Sequence, residues 1–246
     1  MGAALAATSM KRAIAAKAAP TKAAPTQAAP TVILLHGLMM RRPALVPMAL
    51  RLRKRGFAPE LFAYSSLWRD PEEAIARLVQ RLEALLGPAT VGPATVAAPT
   101  VHLVGHSLGG LVVLEALRRC QHLPIGRVVC IGSPIAGSAA ARGLVERGAG
   151  FASGRSGVLL RAGIAQLPPG RAVAMIAGSR PMGLGRLFGH FNEDNDGTVA
   201  VGETRLPGLE AHVVIRVSHS GLIVSAEAAE LAGRYLATGS FEPARL

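Results

Sequence analysis

Short apolar runs alternate along the chain with longer segments whose apolar residues recur at helical spacing. This alternation is typical of a parallel sheet, because buried parallel strands are almost continuously apolar while the helices between them bury only one face. The runs that predict strands are Thr31–Leu35, Phe57–Tyr64, Thr100–Val104, Arg127–Ile131, Ala172–Ala177 and His212–Val217. The pattern therefore predicts an α/β fold with about six mainly parallel strands and helices on both faces of the sheet.

Four segments predict the main helices, and two of them have clear ends. Apolar residues at positions 45, 48, 49 and 52 form one face of a helix over Pro43–Arg55, which Gly56 ends. Asp70-Pro71-Glu72-Glu73 is typical of a helix start, because an acidic N-cap and acidic side chains suit the positive end of the helix dipole. That helix is expected to bury Ile75, Leu78, Val79, Leu82 and Leu85. The other two helices are predicted over Ser107–Arg119 and Ser225–Leu236.

The first 31 residues differ in composition from the rest of the chain. They repeat Ala-Ala-Pro-Thr at 18–21, 23–26 and 28–31, so that frequent prolines prevent a helix and nothing large can be buried. We therefore predict a disordered arm over residues 1–31 and one folded domain over residues 32–246. A second repeat, Gly-Pro-Ala-Thr-Val at 87–91 and 92–96, predicts an expanded surface loop.

The chain is strongly basic, with a formal net charge of +12. An arginine-rich surface is the simplest interpretation, and attraction to anionic lipid is a sharper alternative. One tryptophan, two tyrosines and six phenylalanines are too few and too scattered to favour nucleic acid as a partner. No apolar run reaches the roughly 18–20 residues that span a bilayer. We therefore expect a cytoplasmic protein with at most peripheral membrane contact, and the oligomeric state stays open.

The segment from Val101 to Gly110 carries the most specific chemical signal in the chain. It places Gly105-His106-Ser107-Leu108-Gly109 between a predicted strand and a predicted helix, the context of a nucleophile elbow. Because such a turn is tight, the positions occupied by Gly105 and Gly109 require glycine. The sequence therefore predicts that Ser107 is a nucleophile, with its hydroxyl raised above the end of the strand.

A serine nucleophile needs a base, usually a histidine that a carboxylate holds in place. His219 follows the last predicted strand in a polar loop, where a base at the carboxyl edge of the sheet belongs. His212 begins the same strand, at the opposite edge, and His190 lies between two phenylalanines and is interpreted as a packing residue. We therefore predict that His219 is the base.

The acid is expected between the serine and the histidine, because a nucleophile elbow between a strand and a helix occurs with the chain order Ser, acid, His. Residues 192–199 (Asn-Glu-Asp-Asn-Asp-Gly-Thr-Val) concentrate three carboxylates there, although a polar surface turn would have a similar composition. The spacing does not fit an EF-hand calcium loop. Local chemistry barely separates Asp196, the first choice, from Asp194.

An oxyanion intermediate needs two backbone N–H donors. One is predicted at Leu108, directly after the nucleophile, and the other at Leu38 in the loop that follows the first strand. Gly37 would let this backbone approach closely. His36 is expected to support the loop rather than to transfer protons.

Taken together, these segments resemble the α/β-hydrolase superfamily, especially its bacterial esterase and triacylglycerol-lipase branches. The resemblance rests on 32–38, on the elbow at 105–110, on Gly132-Ser133-Pro134-Ile135-Ala136-Gly137-Ser138, on 195–199 and on 218–222. It implies the fold and a Ser-His-Asp triad, and the segment 195–199 favours Asp196 as the acid. Residues 135–171 leave room for a small cap at most, so we do not expect a full lipase lid.

The expected activity is hydrolysis of carboxylic esters through an acyl-enzyme on Ser107, with a small-molecule ester or an acyl lipid as substrate. No metal or organic cofactor is expected. A thioesterase, an amidase or a transacylase could use the same triad, and a non-catalytic membrane-surface protein is a further alternative. Leu38, Met39, Met40 and Leu108 would either form an acyl pocket or pack their loops into the core.

Overall fold

The computed structural model describes residues 28–87, 100–182 and 193–243. All six strands of its sheet are parallel, and their order is β2-β1-β3-β4-β5-β6. The strands are β1 (Thr31–Leu35), β2 (Ala58–Leu61), β3 (Val101–His106), β4 (Val128–Ile131), β5 (Val173–Gly178) and β6 (Ala211–Ile215). The predicted fold class is confirmed. Residues 1–27 of the predicted arm (1–31) and residues 88–96 of the predicted loop repeat (87–96) lie outside the described residues, and Thr31 already begins β1.

Helices cover both faces of the sheet, because successive residues of each strand point to opposite sides. In β1, Ile33 and Leu35 pack into one core cluster and Val32 and Leu34 into the other. The helices are α1 (Val46–Lys54), α2 (Pro71–Leu86), α3 (Leu108–Arg119), α4 (Ala139–Glu146), α5 (Gly157–Ala162), α6 (His219–Leu222) and α7 (Ala226–Thr238). The buried residues of α1 and α7 share one cluster, and those of α2 and α3 belong to the other.

Some predicted boundaries shift, each for a local reason. The first helix starts with a 3-10 turn over Arg42–Leu45 before α1 begins. β2 is shorter than the predicted strand and carries Pro59 at the edge of the sheet, where a missing N–H costs no ladder bond. β6 ends at Ile215, because the Val217 N–H turns back to the Ile215 carbonyl.

Helix α2 begins as predicted, with the Asp70 carboxylate accepting the Glu72 N–H at 3.0 Å. Its buried face differs slightly from the prediction. Ala74 and Leu86 are buried along with Ile75, Leu78 and Leu82, whereas Val79 and Leu85 are only partly buried against the same core.

The connection between β4 and β5 forms a small helical layer rather than an extended lid. It consists of α4, a 3-10 helix over Gly150–Ser156, and α5. In the described parts of the chain, no helix is long and apolar enough to cross a membrane.

Candidate active site

Ser107 lies in a sharp turn between β3 and α3. Its backbone has φ 53° and ψ −124°, a conformation that residues with a Cβ rarely adopt. The turn is held by the surrounding sheet and helix, since the Ser107 N–H donates to the Ile131 carbonyl at 2.9 Å. Strain of this kind is typical of functional turns. The geometry is that of a strained turn between a strand and a helix.

The elbow can form only with glycine at its flanking positions. A Cβ on Gly105 would lie 2.5 Å from the backbone of Gly110, and a Cβ on Gly109 would lie 2.5 Å from the Leu35 carbonyl oxygen. Both neighbours are backbone atoms that cannot move aside. The end of β1 and the first turn of α3 therefore lie too close together for a side chain between them.

The substitution Gly109→Ala is expected to lower the free energy of unfolding by about 3 kcal/mol or more, because the added methyl group collides with two fixed carbonyl groups. Gly233→Ala is the matched control, since it also lies in a helix but meets the flexible side chain of Arg55. We expect the control to change stability by no more than about 1 kcal/mol. Urea unfolding of both variants makes the comparison, and equal stabilities would contradict it.

His219 and Asp196 form a buried pair at the carboxyl ends of the strands. The His219 ring nitrogen Nδ1 lies 2.7 Å from Asp196 Oδ2, and the His219 N–H donates to the Asp196 carbonyl at 2.9 Å. Asp196 is 1% exposed and His219 8% exposed. The other carboxylate oxygen, Oδ1, accepts the N–H groups of Thr198 and Val199 at 2.9 and 2.7 Å. These bonds leave Oδ2 directed at the imidazole.

Of the two aspartates that the sequence left open, only Asp196 contacts the histidine. Asp194 is exposed, whereas Asp196 is turned inward by the tight turn that contains Gly197 at φ 93°. Two further glycines make room for the pair. A Cβ on Gly132 would lie 3.3 Å from both Asp196 Oδ2 and His219 Nδ1, and a Cβ on Gly178 would lie 2.7 Å from the Asp196 Cβ. Sequence analysis assigned no role to Gly178, which ends β5.

His106 links the elbow to the histidine loop, a role that sequence analysis missed. Its Nε2 lies 3.1 Å from the His219 carbonyl oxygen, and the two imidazole rings are 4.7 Å apart between centroids. Burial, together with the nearby His219, holds the pKa of His106 well below its usual value. A neutral His106 therefore donates through Nε2–H to that carbonyl, and fixes the loop beside Ser107.

The loop after β1 approaches the elbow closely. A Cβ on Gly37 would lie 3.0 Å from the Ser107 Cβ, so a larger residue there would press against the elbow. His36 contacts this loop and Tyr64: its Nδ1 lies 2.9 Å from the Gly37 carbonyl oxygen, and its ring stacks on Tyr64 with centroids 4.4 Å apart. The Tyr64 hydroxyl donates to the His36 carbonyl. Tyr64 is thus a second support, and nothing in the sequence marked it.

Ser107 itself is 7% exposed. Within the described parts of the chain, its hydroxyl makes no hydrogen bond to the His219 ring. Such contacts are often long before a substrate binds. His212 lies in β6 and bonds Thr204 Oγ1 at 2.8 Å, away from the acid–histidine pair, and His190 lies outside the described residues.

A model of the alpha/beta hydrolase family matches residues 32–207. The chain belongs to this family. The match includes β1 to β5, the elbow and Asp196. A search of curated protein sequences gives no match.

Solved structures of other hydrolases share the fold of this alpha/beta hydrolase. The mature lipase BlEst2 of Bacillus licheniformis is 21% identical, with a TM-score of 0.67 over 88% of this chain and 94% of that one. The metagenomic carboxyl esterase MGS0156 is 18% identical, with a TM-score of 0.56 over 82% and 68% of the two chains. The type II thioesterase BorB from the borrelidin biosynthetic cluster is 18% identical, with a TM-score of 0.54 over 87% and 93%. At these identities, the comparisons establish the fold alone.

The hydrolase is also expected to lose stability in mild acid. Burial lowers the pKa of His36, His102, His106 and His212 from the usual 6.5. Below pH 6.5 these histidines are protonated in the unfolded chain but stay largely neutral in the folded chain. The free energy of unfolding therefore falls as the pH falls. Each such histidine contributes up to about 1.4 kcal/mol per pH unit. Burial raises the pKa of Glu203 from 4.5, which acts in the opposite direction but is a single group.

Urea unfolding at pH 7, 6 and 5 measures this effect. The variant His102→Asn removes one of the four groups, because the His102 Nδ1 accepts the Arg127 N–H and an asparagine oxygen can replace it there. We expect a smaller slope of stability against pH for this variant. A wild-type stability that is constant or rises from pH 6.5 to pH 5 would contradict the prediction.

The described residues offer little other chemistry. No group of three or more His, Cys, Asp or Glu side chains among them could hold a metal ion. Cys120 and Cys130 are free and buried, and burial raises the pKa of the Cys130 thiol to about 12. Cys130 is therefore a core residue, as its apolar surroundings in the sequence predicted.

Proposed function

We propose that this alpha/beta hydrolase cleaves carboxylic esters through an acyl-enzyme on Ser107, with His219 as the base and Asp196 as the acid. The observation that carries the proposal is the buried hydrogen bond of 2.7 Å between His219 Nδ1 and Asp196 Oδ2, at the same sheet edge as a serine in a strained elbow. The chain order Ser, Asp, His is that of the fold.

The Asp196 contact sets the protonation of the base. Because Oδ2 is a carboxylate oxygen, the proton of a neutral His219 stays on Nδ1, and Nε2 is left free to accept a proton. Ser107 Oγ then attacks the ester carbonyl carbon while its proton passes to Nε2. Asp196 stabilises the imidazolium that results.

The proposed oxyanion donors are the backbone N–H groups of Leu38 and Leu108. Leu108 is the first residue of α3, where N–H groups have no partner within the helix. Its position at the positive end of the helix dipole favours a developing negative charge. Leu38 belongs to the loop that Gly37 brings against Ser107. His219 then returns its proton to the leaving alcohol, and water repeats the attack to release the acid.

Three other activities share this machinery. A thioesterase or a transacylase would form the same acyl-enzyme and differ only in the leaving group or the acceptor, and an amidase would differ in the leaving amine. A non-catalytic surface protein would have no use for the buried acid–histidine pair. The geometry therefore supports the enzyme over the binding protein.

Incubation of the purified protein with p-nitrophenyl esters, the matching thioesters and anilides tests the proposal. We expect a burst of p-nitrophenol together with an acyl adduct on the peptide that contains Ser107, and faster turnover of esters than of amides. The C2, C6 and C12 acyl chains compare short and long substrates. The absence of turnover with all three classes would overturn the proposal, and faster turnover of thioesters would favour the thioesterase.

A further inference from the structure

A cavity of about 1060 Å³ is lined in part by the loop after β1. It begins at His36, next to the Gly37 that contacts Ser107, and Tyr64 lines it as well. Its remaining walls come from the 3-10 turn before α1, from the segment after β2 and from one residue of α2. Ser107 and His219 do not line it. The cavity is thus a neighbour of the proposed oxyanion site rather than the reaction chamber itself.

The charge in this cavity has one sign. Arg41, Arg42, Arg69 and Arg77 line it, and no aspartate or glutamate is among its described lining residues. Arg69 is paired with the exposed Glu73 at 3.0 Å. The other three have no carboxylate partner within the described part of the chain, and Arg77 lies over the Phe62 ring. Positive charges that converge in a concave site, without internal acids, attract and hold an anion.

Apolar side chains accompany these arginines. Met39 and Trp68 line the cavity and are 73% and 81% exposed, and Met40 and Leu67 are partly exposed beside them. A site with this composition suits a molecule that has both an anionic group and an apolar part. Arginine guanidinium groups match the oxygens of phosphate especially well, because they form two parallel hydrogen bonds.

The cavity lies within reach of the proposed chemistry. Leu38, the proposed oxyanion donor, and Arg41 are three residues apart, so that their Cα atoms are separated by at most about 11 Å. The carbonyl of an ester and a phosphate in the same small molecule can therefore occupy the two places together.

We propose that this cavity binds the phosphate of an acyl ester substrate while the ester carbonyl lies at Ser107. The inference rests on the proposed function and adds the substrate class: esters whose alcohol part carries a phosphate, rather than neutral esters. The phosphate could belong to a monomer in solution or to a lipid in a membrane, and the chemistry of recognition is the same.

The test compares kcat/KM for two substrates with the same acyl chain, 1-decanoylglycerol and its 3-phosphate. Both are used below their micelle-forming concentrations at low salt. We expect the wild type to favour the phosphate ester by at least about tenfold, because hydrogen bonds between charged groups are among the strongest in proteins. High salt should reduce this ratio.

The variant R41Q/R42Q/R77Q should bring the ratio of the two kcat/KM values close to one. The variant R51Q/R53Q/K54Q is the matched control, since it also removes three positive charges, but from α1 and outside the cavity lining. It should keep the wild-type ratio within twofold. The double variant R41Q/R42Q serves if the triple variant does not fold.

A second arm offers the phosphate ester in phosphatidylcholine vesicles. A preference for the phosphate ester in solution identifies a free ester as the substrate, and a preference in vesicles alone identifies a lipid. Either preference supports the proposed phosphate site if the triple variant removes it. Hydrolysis of the neutral ester with no preference in either arm would overturn this inference and leave the proposed function intact. No hydrolysis of either ester, together with no turnover of the p-nitrophenyl substrates, would overturn the proposed function instead.

Discussion

The variant Ser107→Ala is expected to lower kcat for ester hydrolysis by on the order of 10⁶-fold, because it removes the hydroxyl on which the proposed acyl-enzyme forms. The loss should appear in kcat and not in KM, since Ser107 does not hold the substrate in the ground state. Steady-state kinetics on p-nitrophenyl esters measure it. Ser107→Gly should lose as much, and it removes the strain of the positive φ at this position, so a folded inactive protein is available even if the alanine variant is unstable.

Ser220→Ala is the matched control for this prediction. Ser220 directly follows His219 and is exposed, so it is the serine that could most easily be mistaken for the nucleophile. We expect its activity to stay within about twofold of the wild type, because surface substitutions have small effects. Retention of full activity by Ser107→Ala would refute the assignment of the nucleophile.

The variant Asp196→Asn is expected to lower kcat by about 10⁴-fold. Asparagine can keep the two backbone hydrogen bonds that Oδ1 accepts from Thr198 and Val199. It then directs its amide N–H₂ at His219 Nδ1, so that the imidazole proton moves to Nε2, and the ring can no longer accept the Ser107 proton. The fold should therefore survive while the base fails, which urea unfolding in parallel with the kinetics would show.

Asp194→Asn provides the comparison that separates the two aspartates. Asp194 is exposed and has no hydrogen bond to the His219 ring, so its variant should keep kcat within about twofold of the wild type. A loss of similar size in both variants would contradict the assignment of Asp196 as the acid.

The sequence predicted those strands and helices whose ends are set by neighbouring residues in the chain. Strand β1 coincides with the predicted apolar run, and α2 begins at the predicted cap, because continuous burial and N-terminal acids leave clear traces in a sequence. The ends of β2 and β6 were less predictable. They depend on the edge position of Pro59 and on a turn at Val217, which hydrophobicity alone does not reveal.

Some residues of the candidate site could likewise be predicted from the sequence, and others could not. Ser107 follows β3 directly and His219 lies in the short segment after β6, so their places at the carboxyl edge could be predicted from the order of elements. The contacts of His106, Tyr64 and Gly178 could not, because each joins segments that are far apart in the chain. The arginine-lined cavity is a further case. Its walls come from three separate segments, and only the strand order β2-β1-β3 brings them beside the loop after β1.

Reaction with a fluorophosphonate probe tests the central claim most directly, because such probes bond to a serine whose proton is removed by a neighbouring base. The native protein should take up one equivalent of label, and mass spectrometry should place it on Ser107. Ser107→Ala and the urea-unfolded wild type should remain unlabelled. A native protein that stays unlabelled, or that carries the label on another residue, would contradict the account.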